Sequence, residues 1–221
     1  MPPALTSWVS PVQGVLAECN GMNFEERWNK SISILQDAGW QADDWGSHPG
    51  GSERAIAPTN LRGPNGEAMP SDMLLYAPSA GYDPIRSTFS LFIADWMQQL
   101  GIDAVARPTG FSIIVDLILD PETCDDWYMY MLGWGLTPYP DHVVSFFETD
   151  ADACAGGLNT PGYSNPEYDA LAEEFNAAKS VGEAQVVAKK MDTILFEDLP
   201  YLVLFTPPLI EAYRNNIEFP Y

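Results

Sequence analysis

Residues 72–107 read DMLLYAPSAGYDPIRSTFSLFIADWMQQLGIDAVAR. Asp72 to Ala77 is a short apolar run with the length of a strand. Asp83-Pro84 then opens a helix that runs to about Leu100, because proline suits a first helical turn. Gly101 stops that helix, and Ile102 to Arg107 alternates β-branched and polar residues as a half-buried strand does. The pattern continues outward. Gly110 to Leu119 suits a second helix, and Asp126 to Gly133 is a strand rich in aromatics and methionine. Strands that alternate with helices predict an α/β fold, with a parallel or mixed sheet and flanking helices.

On the amino-terminal side, residues 1–23 carry Pro2, Pro3, Pro11 and Gly14 and read as an irregular lead-in. Asn23 is placed to cap a helix from Phe24 to Ala38, with Glu25 and Glu26 in the first turn and Trp28, Ile32 and Leu35 at helical spacing. Residues 41–70 hold Gly, Pro, Asn and Ser with little periodicity, which predicts a long loop with room for a hairpin. On the carboxyl-terminal side a short helix is expected over His142 to Thr149. Two longer helices follow over Pro166 to Lys179 and Gly182 to Glu197, then closing strands over Tyr201 to Thr206 and Ile210 to Arg214.

The chain has 221 residues and a formal net charge of −21, from 31 acids against only 10 Lys and Arg. Acids are near ordinary usage, so the imbalance arises from missing bases. Nucleic-acid and anionic-membrane binding are therefore disfavoured, since both depend on clustered Lys and Arg. No apolar run approaches the roughly 20 residues of a bilayer-crossing helix. Between Arg107 and Lys179 lie 71 residues without a single Lys or Arg. That stretch is either a solvated, self-repelling surface or a field that favours a cationic or neutral ligand over an anionic one.

The three cysteines, Cys19, Cys124 and Cys154, have no zinc spacing. Their odd number suits one disulfide and one free thiol, with Cys124 and Cys154 as the expected pair. The amino terminus lacks the charged start and apolar core of a signal peptide, which leaves a cytosolic protein or an internal piece of a longer secreted chain. His48 and His142 are far apart and neither has a metal-ligand partner. The nucleophile-elbow, zinc-protease and phosphate-loop motifs are all missing. Glu148, Asp150 and Asp152 alternate, but the calcium-loop template would need Gly and Glu where the chain has Ala153 and Asn159. Asn29-Lys30-Ser31 fits a glycosylation sequon but falls inside a predicted helix. No cofactor and no metal site are expected.

The informative stretch begins at Trp127. Its strand ends in Gly133-Trp134-Gly135 and continues as Leu136-Thr137-Pro138-Tyr139-Pro140-Asp141. Small residues at a strand's carboxyl end let a ligand backbone approach, and open α/β sheets place ligands at that edge. Trp134 offers a flat apolar face with one donor; the alternative is that it fills a core.

Four segments together resemble the family 5 extracellular solute-binding proteins, the dipeptide and oligopeptide binders of ABC importers. Leu35-Gln36-Asp37-Ala38-Gly39-Trp40 resembles the end of a helix before their long loop. Met131-Leu132-Gly133-Trp134-Gly135 with Tyr139-Pro140-Asp141 resembles their G-W-x-x-D-Y-P-D segment. Gly162-Tyr163-Ser164-Asn165-Pro166-Glu167-Tyr168-Asp169 matches their G-Y-S-N-P-E-Y-D, and Asp198-Leu199-Pro200-Tyr201 with Leu204 and Phe205 their closing strand.

The resemblance implies a class II periplasmic-binding-protein-like lobe, residues 1–221 forming the carboxyl-terminal portion of a longer two-lobed protein, with residues 200–221 as returning strands. It also implies a small polar solute or oligopeptide as ligand, an ABC permease as membrane partner, no nucleic acid, and a monomer. The protein would be periplasmic or extracellular and membrane-associated through its full-length form. The expected ligand side comprises Trp134, Gly135, Thr137, Tyr139, Asp141 and Asn159, with no catalytic residue. Thr137 stands where peptide binders often place an acid, and Pro138 reads as an insertion, so Asp141 is the nearby substitute. No arginine lies in this segment to pair a ligand carboxylate. Two other classes stay open: a carbohydrate-active hydrolase using a carboxylate pair, and an acidic module that docks a basic protein.

Overall fold

A computed structural model describes residues 7–11, 13–51, 53–124, 126–137 and 139–205. The predicted βαβαβ unit is present. Strand β1 (Met73–Pro78) is central, with β2 (Ala104–Thr109) on one side and β3 (Met129–Tyr130) on the other, and both pairings are parallel. Two more helices precede this unit, α1 (Gly14–Glu18) and α2 (Phe24–Asp37); α3 (Pro84–Gln98) connects β1 to β2, and α4 (Phe111–Leu119) leads from β2 towards β3. Leu75, Ala77 and Ala104 are buried, as are the small residues Ser87, Ser90 and Ala94 of α3, which let that helix lie close to the sheet. The Ser90 hydroxyl donates to the Ser87 carbonyl at 2.7 Å, so its burial leaves no unmet donor.

Strand β3 is far shorter than the predicted Asp126 to Gly133. Its pairing extends one step beyond Tyr130, where Met131 N–H donates to the Tyr76 carbonyl at 2.7 Å. The next donor along β1 would be Pro78, which has no N–H. The chain is thereby released from the sheet just before Gly133.

Helix α2 begins in a full capping box: Asn23 Oδ1 accepts from Glu26 N–H at 2.9 Å, and Glu26 Oε2 accepts from Asn23 N–H at 2.7 Å. Its Trp28 and Ile32 pack with Ala55, and Trp28 Nε1 donates to the Gln99 carbonyl at 2.8 Å. Within 41–70 the hairpin is real. Antiparallel bridges join Gln41 to Arg62, Asp44 to Thr59 and Ser47 to Ile56. Gly46 permits the turn of the chain there, with φ +69° and a position where a Cβ would stand 1.9 Å from the Ile56 carbonyl oxygen.

A second core forms from α5 (His142–Ser145), α6 (Pro166–Ala177) and α7 (Val181–Asp198). Phe146, Phe147, Tyr168, Phe175, Val187 and Met191 are buried in it together with Trp8. The lead-in is thus more ordered than expected: α1 contacts α7, and Ser10 N–H donates to Asp192 Oδ2 at 2.7 Å. The helix expected over His142 to Thr149 is only α5, followed by a 3-10 turn at Thr149–Ala151. Residues 201–205 are not strand, and the strand expected over Ile210 to Arg214 lies outside the described residues.

The two cores are tied covalently by a disulfide between Cys124 and Cys154, the expected pair, and Cys19 is free. A second tie is a cluster of hydroxyls. Tyr130 and Thr160 hydroxyl oxygens are 2.5 Å apart, Thr160 and Tyr201 are 2.6 Å apart, and Tyr130 also meets Tyr201. Burial pushes the Tyr130 phenol well above its ordinary pKa, so it stays protonated and able to donate.

Candidate functional site

The carboxyl ends of the parallel strands bring together the turn after β1, the start of α4 and the chain leaving β3. From this edge the segment 133–141 crosses towards the second core. Trp134 packs its ring 4.5 Å from that of buried Phe146 and remains 37% exposed, so one face is anchored and the other is free. A Cβ added at Gly135 would meet nothing within 4 Å, which leaves the backbone beside Trp134 open to an approaching molecule.

Thr137, Tyr139 and Asp141 form one turn. The Thr137 hydroxyl lies 2.5 Å from the Tyr139 carbonyl oxygen and 3.1 Å from Asp141 Oδ1, and Asp141 N–H donates to the Tyr139 carbonyl at 3.0 Å. The Tyr139 ring packs against Trp8 (5.2 Å) and Phe175 (5.5 Å) and is 44% exposed. Asp141 is exposed and makes no capping bond to α5; its Oδ1 accepts from Thr137, and its Oδ2 has no partner among the described residues. His142 follows, its Nδ1 buried with no hydrogen-bond partner among the described residues; burial lowers its basicity and favours the neutral ring at pH 7.

Asn159 requires a correction. It is wholly buried, and its side chain is consumed internally: Nδ2 donates to the carbonyls of Glu148 (3.1 Å) and Tyr163 (2.8 Å), and Oδ1 accepts from Tyr163 N–H (3.1 Å). It shapes the loop after the disulfide and does not share the surface of the other five residues. The Gly162–Asp169 motif is likewise fastening. Asn165 Oδ1 accepts from the N–H groups of Glu167 and Tyr168, Asn165 Nδ2 donates to Asp198 at 3.0 Å, and the Tyr163 hydroxyl donates to the same carboxylate at 2.5 Å. The Tyr168 hydroxyl donates to the Val143 carbonyl at 2.6 Å and so fixes α5 directly behind Asp141. Asp169 accepts from Thr149 N–H at 2.9 Å and from its hydroxyl at 2.7 Å. Glu148 nearby is held above the usual carboxylate range, first by burial and then by Asp169, Asp150 and Glu173.

One residue at this edge was absent from the sequence expectation. Arg86, in the first turn of α3, reaches across to Gly133. A Cβ at Gly133 would fall 2.0 Å from Arg86 Nη2, so the guanidinium occupies the place a side chain would take. Asp83 holds it there, with Oδ2 accepting from Nη1 at 2.7 Å and Oδ1 accepting from Arg86 N–H at 2.9 Å. The signal in the sequence is Asp83-Pro84-Ile85-Arg86, an i,i+3 ion pair across a helix start, but spacing alone does not say which way the fork points.

No family model matches the chain. It is 26% identical over 137 residues to the oligopeptide-binding protein AppA of Bacillus subtilis, covering 61% of this chain and 24% of that protein. The chain therefore matches about a quarter of that relative's length. The solved structure of AppA with a nonapeptide superposes with a TM-score of 0.63 at 19% identity, over 78% of this chain and 30% of the other. NikZ of Campylobacter jejuni with Ni(L-His) gives 0.58 at 19%, over 78% and 30%. A mannohexaose-bound periplasmic oligopeptide-binding protein of Thermotoga maritima gives 0.59 at 17%, over 88% and 34%. The architecture is that of the solute-binding proteins of ABC transporters, and the resemblance to the oligopeptide-binding group extends over part of the chain.

Proposed function

We propose that the chain is one lobe of an extracytoplasmic solute-binding protein that delivers a peptide or a related small polar solute to an ABC permease, and that it performs no catalysis. One observation carries this reading: Trp134 is anchored on Phe146 with its outer face free, beside a glycine with open space, at the carboxyl edge of a parallel sheet. That combination offers a ligand an aromatic face and accessible backbone groups. The turn formed by Thr137, Tyr139 and Asp141 adds polar groups next to it. The similarity to AppA, named as an oligopeptide-binding protein, supports the choice of peptide.

In this mechanism a second lobe closes over the solute, and closure is the state that the permease recognises. The protein works as a monomer on the outer side of the membrane, associated with it in the full-length form; no described helix is long and apolar enough to cross a bilayer. A lone lobe makes half the contacts and binds weakly. Isothermal titration of the chain against a panel of di- to nonapeptides and oligosaccharides tests the proposal. Weak binding of peptides that Trp134→Ala abolishes is the expected result. Micromolar or tighter binding by the lone chain defeats the half-site view, and sugar binding without peptide binding defeats the choice of ligand.

A further inference from the structure

An aromatic face and backbone groups leave the charge of a ligand unread, yet a cation stands at this site. Arg86 enters from outside the base-free stretch, brought there by the β1–α3 connection. Its side chain is 20% exposed and that of Asp83 22%, so the pair is sheltered enough to hold a direction and open enough to meet a ligand. Asp83 takes one of the five guanidinium donors. Among the described residues, Nη2 and Nε have no partner, and Nη2 lies over Gly133. The carboxylate of Asp83 already caps α3, so the helix terminus is filled and the guanidinium is the group left to act.

Gly133 is not in the left-handed region, so its backbone would accept alanine; the guanidinium alone takes the room. A molecule whose backbone approaches the chain at Gly133 meets Arg86 where it would otherwise meet a side chain. The net charge of −21 works against anions only at long range, and at physiological salt that field is screened over about 8 Å. A cation in contact with the ligand decides the preference, because a guanidinium already oriented by a carboxylate loses little freedom on bonding a second one.

We propose that Arg86, held by Asp83 and seated on Gly133, receives a carboxylate of the bound solute. The proposal rests on segment 133–141 being the ligand side. It reverses the preference for cationic or neutral ligands that the acid-rich sequence predicts.

The test is titration of trialanine and of trialanine amide into the full chain, followed in amide correlation spectra, which register millimolar binding. Trialanine is expected to bind at least tenfold more tightly than its amide and to shift the resonances of Gly133, Trp134 and Gly135. Arg86→Met should bring trialanine to the affinity of the amide and leave the amide unchanged, and Arg86→Lys should restore only part of the difference. Gly133→Ala displaces the fork without deleting its charge and should reduce the same ratio. Equal affinity for acid and amide in the native chain overturns the role of Arg86 while sparing peptide binding. An equal loss for both ligands in Arg86→Met also overturns it, since that is the mark of a purely structural residue. If neither ligand perturbs residues 133–141, the ligand-side reading falls and this proposal with it.

Discussion

Removing the disulfide should cost the chain a large part of its stability, and the size of the loss follows from the loop it closes. Cys124 and Cys154 are 30 residues apart. Chain-entropy reasoning for a closed loop of that length gives about 12 cal/mol/K, or about 3.6 kcal/mol at 25 °C. That is a change of roughly 400-fold in the folding equilibrium, and for a chain of this size it lowers Tm by about 7–14 °C. The loop encloses residues 125–153 and therefore the whole of the segment 133–141, which is held otherwise by the packing of Trp134 and Tyr139 and by the hydroxyl cluster. The variant Cys124→Ser/Cys154→Ser should be compared with the native chain, oxidised and reduced, by urea denaturation and amide hydrogen exchange. Reduced native chain and double variant should coincide, both about 3.6 kcal/mol below the oxidised chain. Amide protection at Trp134 and Gly135 should fall with them. Thiol titration provides the control: one reactive group, Cys19, before reduction and three after. A stability difference under about 1 kcal/mol, or an unchanged Trp134 amide, refutes the claim that the bridge holds the site.

Tyr168→Phe removes the donor to the Val143 carbonyl in a buried place and should destabilise by about 1–3 kcal/mol, read by urea denaturation. Gly46→Ala forces a side chain into left-handed backbone against the Ile56 carbonyl and should cost about 1–3 kcal/mol through strain, with the loss concentrated in hydrogen exchange over 41–68. Glu148 has a raised pKa in the folded chain, so in this range the folded state binds more protons than the unfolded one, and stability contributed through Glu148 rises as pH falls from neutral towards its unfolded value near 4.5. Glu148→Gln should therefore stabilise at pH 7 and flatten that acid gain; an unchanged Tm-against-pH slope counts against it. His142 works oppositely: its lowered pKa means the unfolded state takes up protons first, so its contribution is lost as pH falls below about 6.5, and His142→Phe should remove that loss.

The βαβαβ unit was legible because each of its boundaries is set locally: Asp83 and Pro84 start α3, and the residues that cap α2 and α6 are adjacent to the helices they cap. The length of β3 was not, because it is set by Pro78 on a neighbouring strand far earlier in the chain, whose missing N–H ends a pairing that β3's own residues would continue. Residues 201–205 carry strand-like composition but are fixed by a hydroxyl contact of Tyr201 rather than by a ladder. For the site, aromatic residues flanked by glycine pointed to Trp134 and Gly135, whereas Asn159 misled because a loop asparagine with free donors and one with every donor occupied are the same letter.

The same distinction governs how far the family motifs can identify the ligand. The longest of them, Gly162 to Asp169, spends its polar groups on Asp198, Val143, Thr149 and the start of α6. Asp198, from the closing motif, is the acceptor for Tyr163 and Asn165. The residues that make these bonds hold α5 and α7 against each other behind the surface that carries Trp134, and the groups so bonded are not open to a solute. Their chemistry is complete within the fold, so it is indifferent to what binds in front of it. If the proposed ligand side is right, ligand choice rests on the few groups whose bonding is left open at the sheet edge: the outer face of Trp134, the backbone at Gly135, the outer oxygen of Asp141 and the unpaired side of the Arg86 guanidinium. Two of these are charged and of opposite sign: Asp141 belongs to the turn that Thr137 braces, and Arg86 reaches the edge from α3 at Gly133. A zwitterionic solute is the simplest molecule that would satisfy both, and Asp141→Asn and Arg86→Met should weaken trialanine binding through opposite ends of the ligand, the first sparing an N-acetylated peptide and the second sparing the amide.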